Sequence, residues 1–482
     1  MFNYRLVFQF LGLLLLIEGI CMWLCIPVSM FFHDHGFQPL GISGIISVCT
    51  GGTALFIFRK ATKSMSARDG FLIVAIGWIM FSLFGCLPFI LSGEIPSFTD
   101  AYFETISGFT TTGASILDQV EILPHGLLFW RSLTQWLGGM GIIVMSLAIL
   151  PLLGVGGMQL FVAEVPGPLP DKLHPKIKET AKRLWAIYII FTILEILLLW
   201  VGDMRLFDAI CHSFSTMATG GYSTKTASIA HWDSPFIHYV ITIFMFLAGT
   251  NFTLSYFAMH RRFDKVWRNE EFRYYVGILV GFTLLLSVIL FFTSKHPMEE
   301  SFRLAIFQVV SIVTTTGFVT YDYLTWLPLV GIIIFMMMFF GGSAGSTGGG
   351  IKILRIVLLL KNSAMELKRL IHPNAVIPVR FNKHAVSPDV LNNVFAFISF
   401  YIIVLVIGVI VMAALGYDLG TSFGSVAATL GNIGPGIGLV GPIENYAHIP
   451  GFGKWFLSFL MLIGRLELFT VLILFSPGFW KK

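Results

Sequence analysis

The sequence predicts an all-α polytopic membrane protein of about ten transmembrane helices. It is organised as four helix–loop–helix repeats behind an extra two-helix pair. Three observations predict this. Hydrophobic residues are 56% of the 482-residue chain and charged residues only 12%, whereas a soluble domain carries about 25% charged residues. Ten apolar runs approach or exceed the roughly 20 residues needed to cross hydrocarbon. A short glycine-containing stretch recurs four times, each time between two such runs. Ser107 begins Ser-Gly-Phe-Thr-Thr-Thr-Gly, Ser215 begins Ser-Thr-Met-Ala-Thr-Gly-Gly, Ser311 begins Ser-Ile-Val-Thr-Thr-Thr-Gly and Ala428 begins Ala-Thr-Leu-Gly-Asn-Ile-Gly. Aligned without gaps, Gly113, Gly221, Gly317 and Gly434 share one column.

The apolar runs cover approximately 6–31, 38–58, 70–91, 126–152, 184–201, 234–259, 274–293, 327–360, 390–415 and 452–476. They divide the chain into a leading pair, 1–69, and four repeats, 70–183, 184–273, 274–383 and 384–482. The run from Leu6 to Phe31 exceeds the roughly 7–15-residue apolar core of a signal peptide and lacks a small-x-small cleavage site, so it reads as a retained span. The five cysteines, Cys21, Cys25, Cys49, Cys86 and Cys211, form no disulfide or zinc spacing. The twelve histidines form no metal constellation.

Lysines and arginines concentrate in the termini and in the connections at 59–69, 170–183, 260–273 and 352–383. The positive-inside rule therefore puts both termini in the cytoplasm and all four glycine motifs on the outer side. Acidic residues show the opposite bias: Asp34, Glu94, Asp100, Glu104, Asp118, Glu121, Asp203, Asp208, Asp233, Glu299, Glu300, Asp322, Asp418 and Glu444 fall outside. A mouth rich in carboxylates attracts cations; the alternative is ordinary solvated loop charge.

Each motif follows a segment too short to span: 98–108, 204–215, 300–312 and 419–429. Such segments enter a membrane only when shielded by protein. A helix dipping in from outside aims its partly negative C-terminal end at the membrane centre. Glycine lets backbone carbonyls turn toward an axis, and threonine hydroxyls add oxygen ligands. Rings of such oxygens replace the hydration shell of a potassium ion. The motifs therefore read as four quarters of one site that strips water from a cation.

Four stretches carry a family resemblance that extends over essentially the whole chain. They are Phe109-Thr-Thr-Thr-Gly-Ala114, Trp130-Arg-Ser-x-x-Gln-Trp-x-Gly-Gly-Met-Gly141, the run Gly341 to Lys352, and Leu430-Gly-Asn-Ile-Gly-Pro435. With them the chain resembles the Trk-type potassium transport membrane subunits, the TrkH/TrkG/KtrB superfamily. The leading pair and Gly464-Arg465-Leu466-Glu467 favour the TrkH branch over KtrB. The resemblance implies four potassium-channel-like repeats around one pseudo-fourfold pore, with potassium as the transported ion. Carried over by position, the filter is Thr110, Thr111, Thr112 and Gly113; Ala218, Thr219, Gly220 and Gly221; Thr314, Thr315, Thr316 and Gly317; and Gly431, Asn432, Ile433 and Gly434. In the second segment a one-residue slip makes Gly220 the matching glycine instead. The fourth lacks threonine, so backbone carbonyls alone are expected to serve there.

The eighth run is interrupted by Gly341, Gly342, Ser343, Gly345, Ser346, Gly348, Gly349 and Gly350. Glycine weakens a helix by about 1 kcal/mol per residue relative to alanine, so this stretch should unwind at depth. The resemblance implies that it lies below the filter and obstructs the pore. A phosphate loop is excluded because Ile351 and Lys352 follow Gly350 where Lys-Ser/Thr is required; no nucleotide is expected on this chain. Arg465 lies inside the last run, and an embedded arginine usually faces water or a partner. It is expected beside the glycine loop as part of a gate; the alternative is an ion pair with Glu18 or Glu195. Glycines also punctuate the second helix of each repeat at Gly139, Gly249, Gly342 and Gly464, for hinging or for close packing.

The resemblance further implies a homodimer, a cytosolic nucleotide-binding regulatory subunit of the TrkA/RCK type, membrane lipid as surroundings, no nucleic-acid partner, and a bacterial cytoplasmic (inner) membrane location. A sodium- or proton-coupled potassium symporter of the same superfamily is the alternative reading. A polytopic membrane enzyme is the contrasting class; it needs clustered acid/base groups at depth, and the deep ionisable residues here are isolated.

Overall fold

A computed structural model of the chain describes residues 3–60, 66–141, 177–294, 296–375 and 377–481. The leading pair is α1 (Tyr4–Phe31) and α2 (Phe37–Ile57). Small residues let their backbones approach: a Cβ on Gly12 would lie 2.8 Å from the carbonyl oxygen of Gly51, and one on Gly19 would lie 2.7 Å from that of Gly44. This is the small-residue packing that joins helices in lipid, where burial of apolar surface supplies no drive.

The first repeat begins with α3 (Ala67–Gly85), extended by the short α4 (Leu87–Ser92). Re-entrant α5 (Phe98–Phe109) follows, then α6 (His125–Trp136), which runs into a π-helical turn at Leu137–Gly141. The expected span 126–152 continues beyond the described residues. The second repeat comprises α7 (Ile177–Val201), re-entrant α8 (Leu206–Met217), α9 (Pro235–Ala248) and α10 (Phe252–Met259). After α11 (Phe263–Arg268), the third has α12 (Glu270–Thr293), re-entrant α13 (Met298–Val313), α14 (Pro328–Met337) and α15 (Ile353–Ile371). A hairpin, β1 (Arg380–Phe381) and β2 (His384–Ala385), leads to the fourth: α16 (Pro388–Ala414), re-entrant α17 (Leu419–Leu430), α18 (Gly451–Arg465) and α19 (Phe469–Leu472).

Six helices among the described residues are long and apolar enough to cross a membrane, or eight if each bent pair counts as one span. The expected ten differ in three places. Run 234–259 is α9 and α10, bent by 110° at Gly249–Asn251, and run 452–476 is α18 and the turn after it, bent by 112°. Run 327–360 is not one continuous helix: α14 has only ten residues, the chain leaves helical geometry over the glycine stretch expected to unwind, and α15 continues as an amphipathic helix. Apolar content alone does not register such breaks. It also places helix starts late, because first turns are polar. Ser66 caps α3 reciprocally with Asp69, and Asn269 caps α12 ahead of Glu270 and Glu271.

Large apolar side chains stay exposed on the outer faces, for example Val280, Leu284, Val288 and Phe292 on α12 and Ile403, Ile407 and Ile410 on α16. In water such stripes are a liability; against hydrocarbon they are the expected surface. The interior is a continuous apolar core in which the four re-entrant helices are buried.

A ring of strained turns above a glycine loop

Each re-entrant helix ends in the same way. Thr111 N–H donates to Gly108 O (2.9 Å) and Thr112 N–H to Ser107 O (2.8 Å). The counterparts are Thr219 to Thr216 (2.9 Å) and Gly220 to Ser215 (2.8 Å); Thr315 to Ile312 (3.0 Å) and Thr316 to Ser311 (2.8 Å); Asn432 to Thr429 (3.2 Å) and Ile433 to Ala428 (2.8 Å). This is the Schellman helix stop, which needs a left-handed residue after the last helical turn. Glycine normally supplies it. Here Thr111, Thr219, Thr315 and Asn432 do, at φ of 52°, 53°, 60° and 54°. A left-handed β-branched residue is a true outlier, costing about 1–2 kcal/mol. Two residues later Gly113, Gly221, Gly317 and Gly434 are left-handed again, at 81°, 77°, 82° and 95°.

These glycines close a ring. A Cβ on Gly113 would collide with Gly220 O, one on Gly221 with Thr316 O, one on Gly317 with Ile433 O, and one on Gly434 with Thr112 O. Each quarter's glycine thus abuts the next quarter's third-position carbonyl, in chain order and back to the start. The same contacts put Gly221, not Gly220, in the glycine column. In the first and third quarters the threonines pair internally: Thr110 Oγ1 meets Thr112 Oγ1 at 2.8 Å, and Thr314 Oγ1 meets Thr316 Oγ1 at 2.8 Å. In the fourth, Asn432 Nδ2 donates to Thr112 Oγ1 (3.0 Å) and Met461 O (2.9 Å), stitching the ring where it closes.

A cavity of about 110 Å³ opens on the glycine side and touches all four ring glycines. Of the outer-side carboxylates, Asp118 and Glu444 line it, alongside Arg131 and Lys225. The other acidic residues do not make the carboxylate-lined mouth the sequence suggested. Asp100 takes Lys454 (2.5 Å), Asp208 accepts from Thr224 (2.5 Å), and Glu104 is fully buried. Glu104 accepts from Arg131 Nε (2.7 Å), Ile116 N–H (2.9 Å) and Ser115 Oγ (3.0 Å). Arg131 also reaches Ser223 O (3.0 Å) and lies 3.5 Å over the Tyr222 ring. This ion pair braces the first two quarters behind the mouth. Burial strengthens it only because nearly every polar atom is matched.

On the opposite side of the ring lies the stretch from Gly341 to Gly350. It leaves helical geometry and closes on itself through Gly341 N–H to Ile351 O (2.5 Å). Thr347 Oγ1 donates to Met217 O (3.0 Å) and Ala248 O (3.2 Å), and Gly349 N–H donates to Thr315 Oγ1 (2.7 Å). A Cβ on Gly348 would lie 3.0 Å from Thr314 O, and one on Gly349 2.8 Å from Gly431 O, so Cβ-free residues let the loop press on the ring's base. Gly342 packs on Gly249, Ser343 N–H donates to Gly249 O (2.9 Å), and Gly345 sits at φ 77° against Asn251. Ser346 Oγ accepts from Gly348 N–H at 3.4 Å, and Gly350 faces Gly431 O.

Arg465, the last residue of α18, donates to Thr347 O (2.6 Å), Gly138 O (2.6 Å) and Gly139 O (2.7 Å). It does not pair with Glu18 or Glu195, whose carboxylates have no hydrogen-bond partner among the described residues. Glu467 pairs with Arg355 instead. A second cavity, about 50 Å³, is lined by Arg465, Trp78, Gly348 and Gly349. The punctuating glycines take the close-packing role: Gly249, Gly464 and Gly139 touch the ends of re-entrant helices, Gly249 against Thr314, Gly464 against Leu430 O and Gly139 against Ala218.

Four re-entrant helices whose C-terminal turns ring one axis define a pore-loop membrane protein. Residues 38–482 match the model of the TrkH family, described as cation transport protein, and the chain belongs to that family. The Trk system potassium uptake protein TrkH of Salmonella typhimurium is 42% identical over the full length of both chains. The Trk system potassium uptake protein TrkG of Escherichia coli is 35% identical, over 100% of this chain and 99% of its own. The crystal structure of the potassium transporter TrkH from Vibrio parahaemolyticus superposes with a TM-score of 0.90 at 38% identity, covering all of both chains. These are transporters, a transport family and not an enzyme family.

Proposed function

We propose that this chain is the pore through which potassium enters the cell, and that the ring is its selectivity filter. The carbonyls of Thr110–Gly113, Ala218–Gly221, Thr314–Gly317 and Gly431–Gly434 replace the hydration shell of the ion. The four helix C-termini add negative potential at the same point. The observation that carries this reading is the closed succession of glycine-to-carbonyl contacts, which leaves one axis common to all four quarters. The loop Gly341–Gly350 and Arg465 form the gate beneath it. The loop blocks the axis, and the guanidinium sets a positive charge in the path of a cation.

By the distribution of lysine and arginine, the ring mouth faces outward and both termini lie on the cytoplasmic side, and membership of the Trk family supports a bacterial inner-membrane location. Two copies associate as a homodimer, and a cytosolic nucleotide-binding subunit of the TrkA/RCK type acts on the gate. The test is potassium and rubidium uptake into reconstituted vesicles, with and without that subunit, together with reversal potentials for Gly113→Ser. A side chain at Gly113 must take a left-handed φ and meet Gly220 O, so the potassium-to-sodium permeability ratio falls. An unchanged reversal potential would remove these residues from the filter.

A further inference from the structure

The third filter position carries a side chain in three quarters, Thr112, Thr316 and Ile433, and none in the second, where Gly220 stands. Backbone geometry does not demand this glycine: Gly113, Gly221, Gly317 and Gly434 are left-handed, and Gly220 is not. Space does. A Cβ on Gly220 would lie 2.5 Å from Cδ of Gln135, 2.6 Å from its Oε1 and 2.8 Å from its Nε2. Gln135 is fully buried and comes from α6, in the first quarter. Its Nε2 donates to Gly220 O (2.6 Å), and its Oε1 accepts from Tyr222 N–H (3.0 Å). A carbonyl only accepts and a peptide N–H only donates, so both ends of the amide are fixed. One side chain grips the two peptide groups on either side of Gly221.

We propose that Gln135 is a positioning and specificity-determining residue for ion passage, a side chain lent by the first quarter to complete the filter wall of the second. The inference rests on the filter reading above. Among the described residues no donor reaches the carbonyls of Thr112, Thr316 or Ile433, so Gly220 O alone of the four abutting carbonyls shares its lone pairs with the protein. That oxygen is a weaker but better-fixed ligand than its three counterparts. Without the amide, the Gly220 peptide turns freely and the ring contracts around smaller ions.

The experiment measures reversal potentials of the full chain in vesicles with potassium on one side and sodium on the other. Gln135→Leu keeps the bulk and removes the amide; it lowers the potassium-to-sodium permeability ratio about five-fold, the equilibrium equivalent of the one lost hydrogen bond that ends on a filter carbonyl, Gly220 O. Gly220→Thr alone collides with Gln135 and abolishes flux. The pair Gln135→Ala with Gly220→Thr restores a third-position side chain from its own quarter and returns the ratio toward the parent value. A parent-like ratio in Gln135→Leu, alongside a lowered ratio in Gly113→Ser, overturns the role of Gln135 and leaves the filter reading standing. Parent-like ratios in both overturn the filter reading and this inference with it. If Gln135→Leu does not fold, the paired variant decides: a recovered ratio supports the proposal, and a degraded ratio overturns it.

Discussion

Arg465→Ala is the substitution that most directly tests the gate. Among the described residues the guanidinium donates to Thr347 O at 2.6 Å, in the glycine loop, and to Gly138 O and Gly139 O outside it. The other two anchor Arg465 to the π-helical turn of the first repeat. A hydrogen bond from a charged donor contributes about 1.5–3 kcal/mol. If the Thr347 bond exists only while the loop blocks the axis, losing it shifts the shut–open balance by roughly ten- to a hundred-fold. Removing the charge acts in the same direction. Resting rubidium uptake into vesicles without any partner subunit is therefore expected to rise by that order. Arg465→Lys separates the two contributions, because an ammonium keeps the charge and cannot reproduce the planar fork that binds all three carbonyls. A tether predicts raised flux in the lysine variant; a pure charge barrier predicts none. Alanine-variant flux equal to the parent's, in protein that elutes as folded and still transports when activated, would refute the reasoning and take Arg465 out of the gate.

Two further substitutions test what holds the ring. Arg131→Ala leaves Glu104 buried without its cation, which costs about 3–5 kcal/mol; the melting temperature in detergent should drop sharply, and a curve matching the parent's would show that the pair does not brace the mouth. Hydrogen bonds from Thr421 Oγ1 and N–H hold the Asp418 carboxyl below the usual carboxylate range. Its cap on α17 is then fully present above that range and lost as pH falls through the lower folded value. Asp418→Ala should cost about 0.5–1 kcal/mol near neutrality, the low end for an exposed cap. The difference in melting temperature from the parent should vanish in strong acid; a difference that persists there contradicts the linkage.

The sequence made the re-entrant helices and the glycine column legible because both rest on local signals. The helices are apolar segments too short to span, and the column is one glycine at one offset from each. Three features were not legible, each for a physical reason. Thr111, Thr219 and Thr315 occupy a left-handed position that propensity assigns to glycine or asparagine, so nothing in their residue type marks it. Glu104 reads as an ordinary outer-side charge because its 27-residue separation from Arg131 conceals a direct pair. Gln135 is 85 residues from Gly220; its trace in the sequence is the glycine at 220 where the other quarters keep threonine or isoleucine. The start of the amphipathic α15 falls inside an apolar run, because counting apolar residues ignores which side of a helix they occupy.

The loop proposed as the gate comes from one quarter only. A pore assembled from four identical chains has four equivalent barriers to withdraw, and partial withdrawal leaves intermediate apertures. In the proposed gate a single flap, fastened by a handful of polar contacts to three unlike walls, covers the opening. One pull on one segment is enough to clear it, and nothing in that arrangement sustains a half-cleared state. Passage through each chain should therefore switch in one step, without intermediate conductance levels.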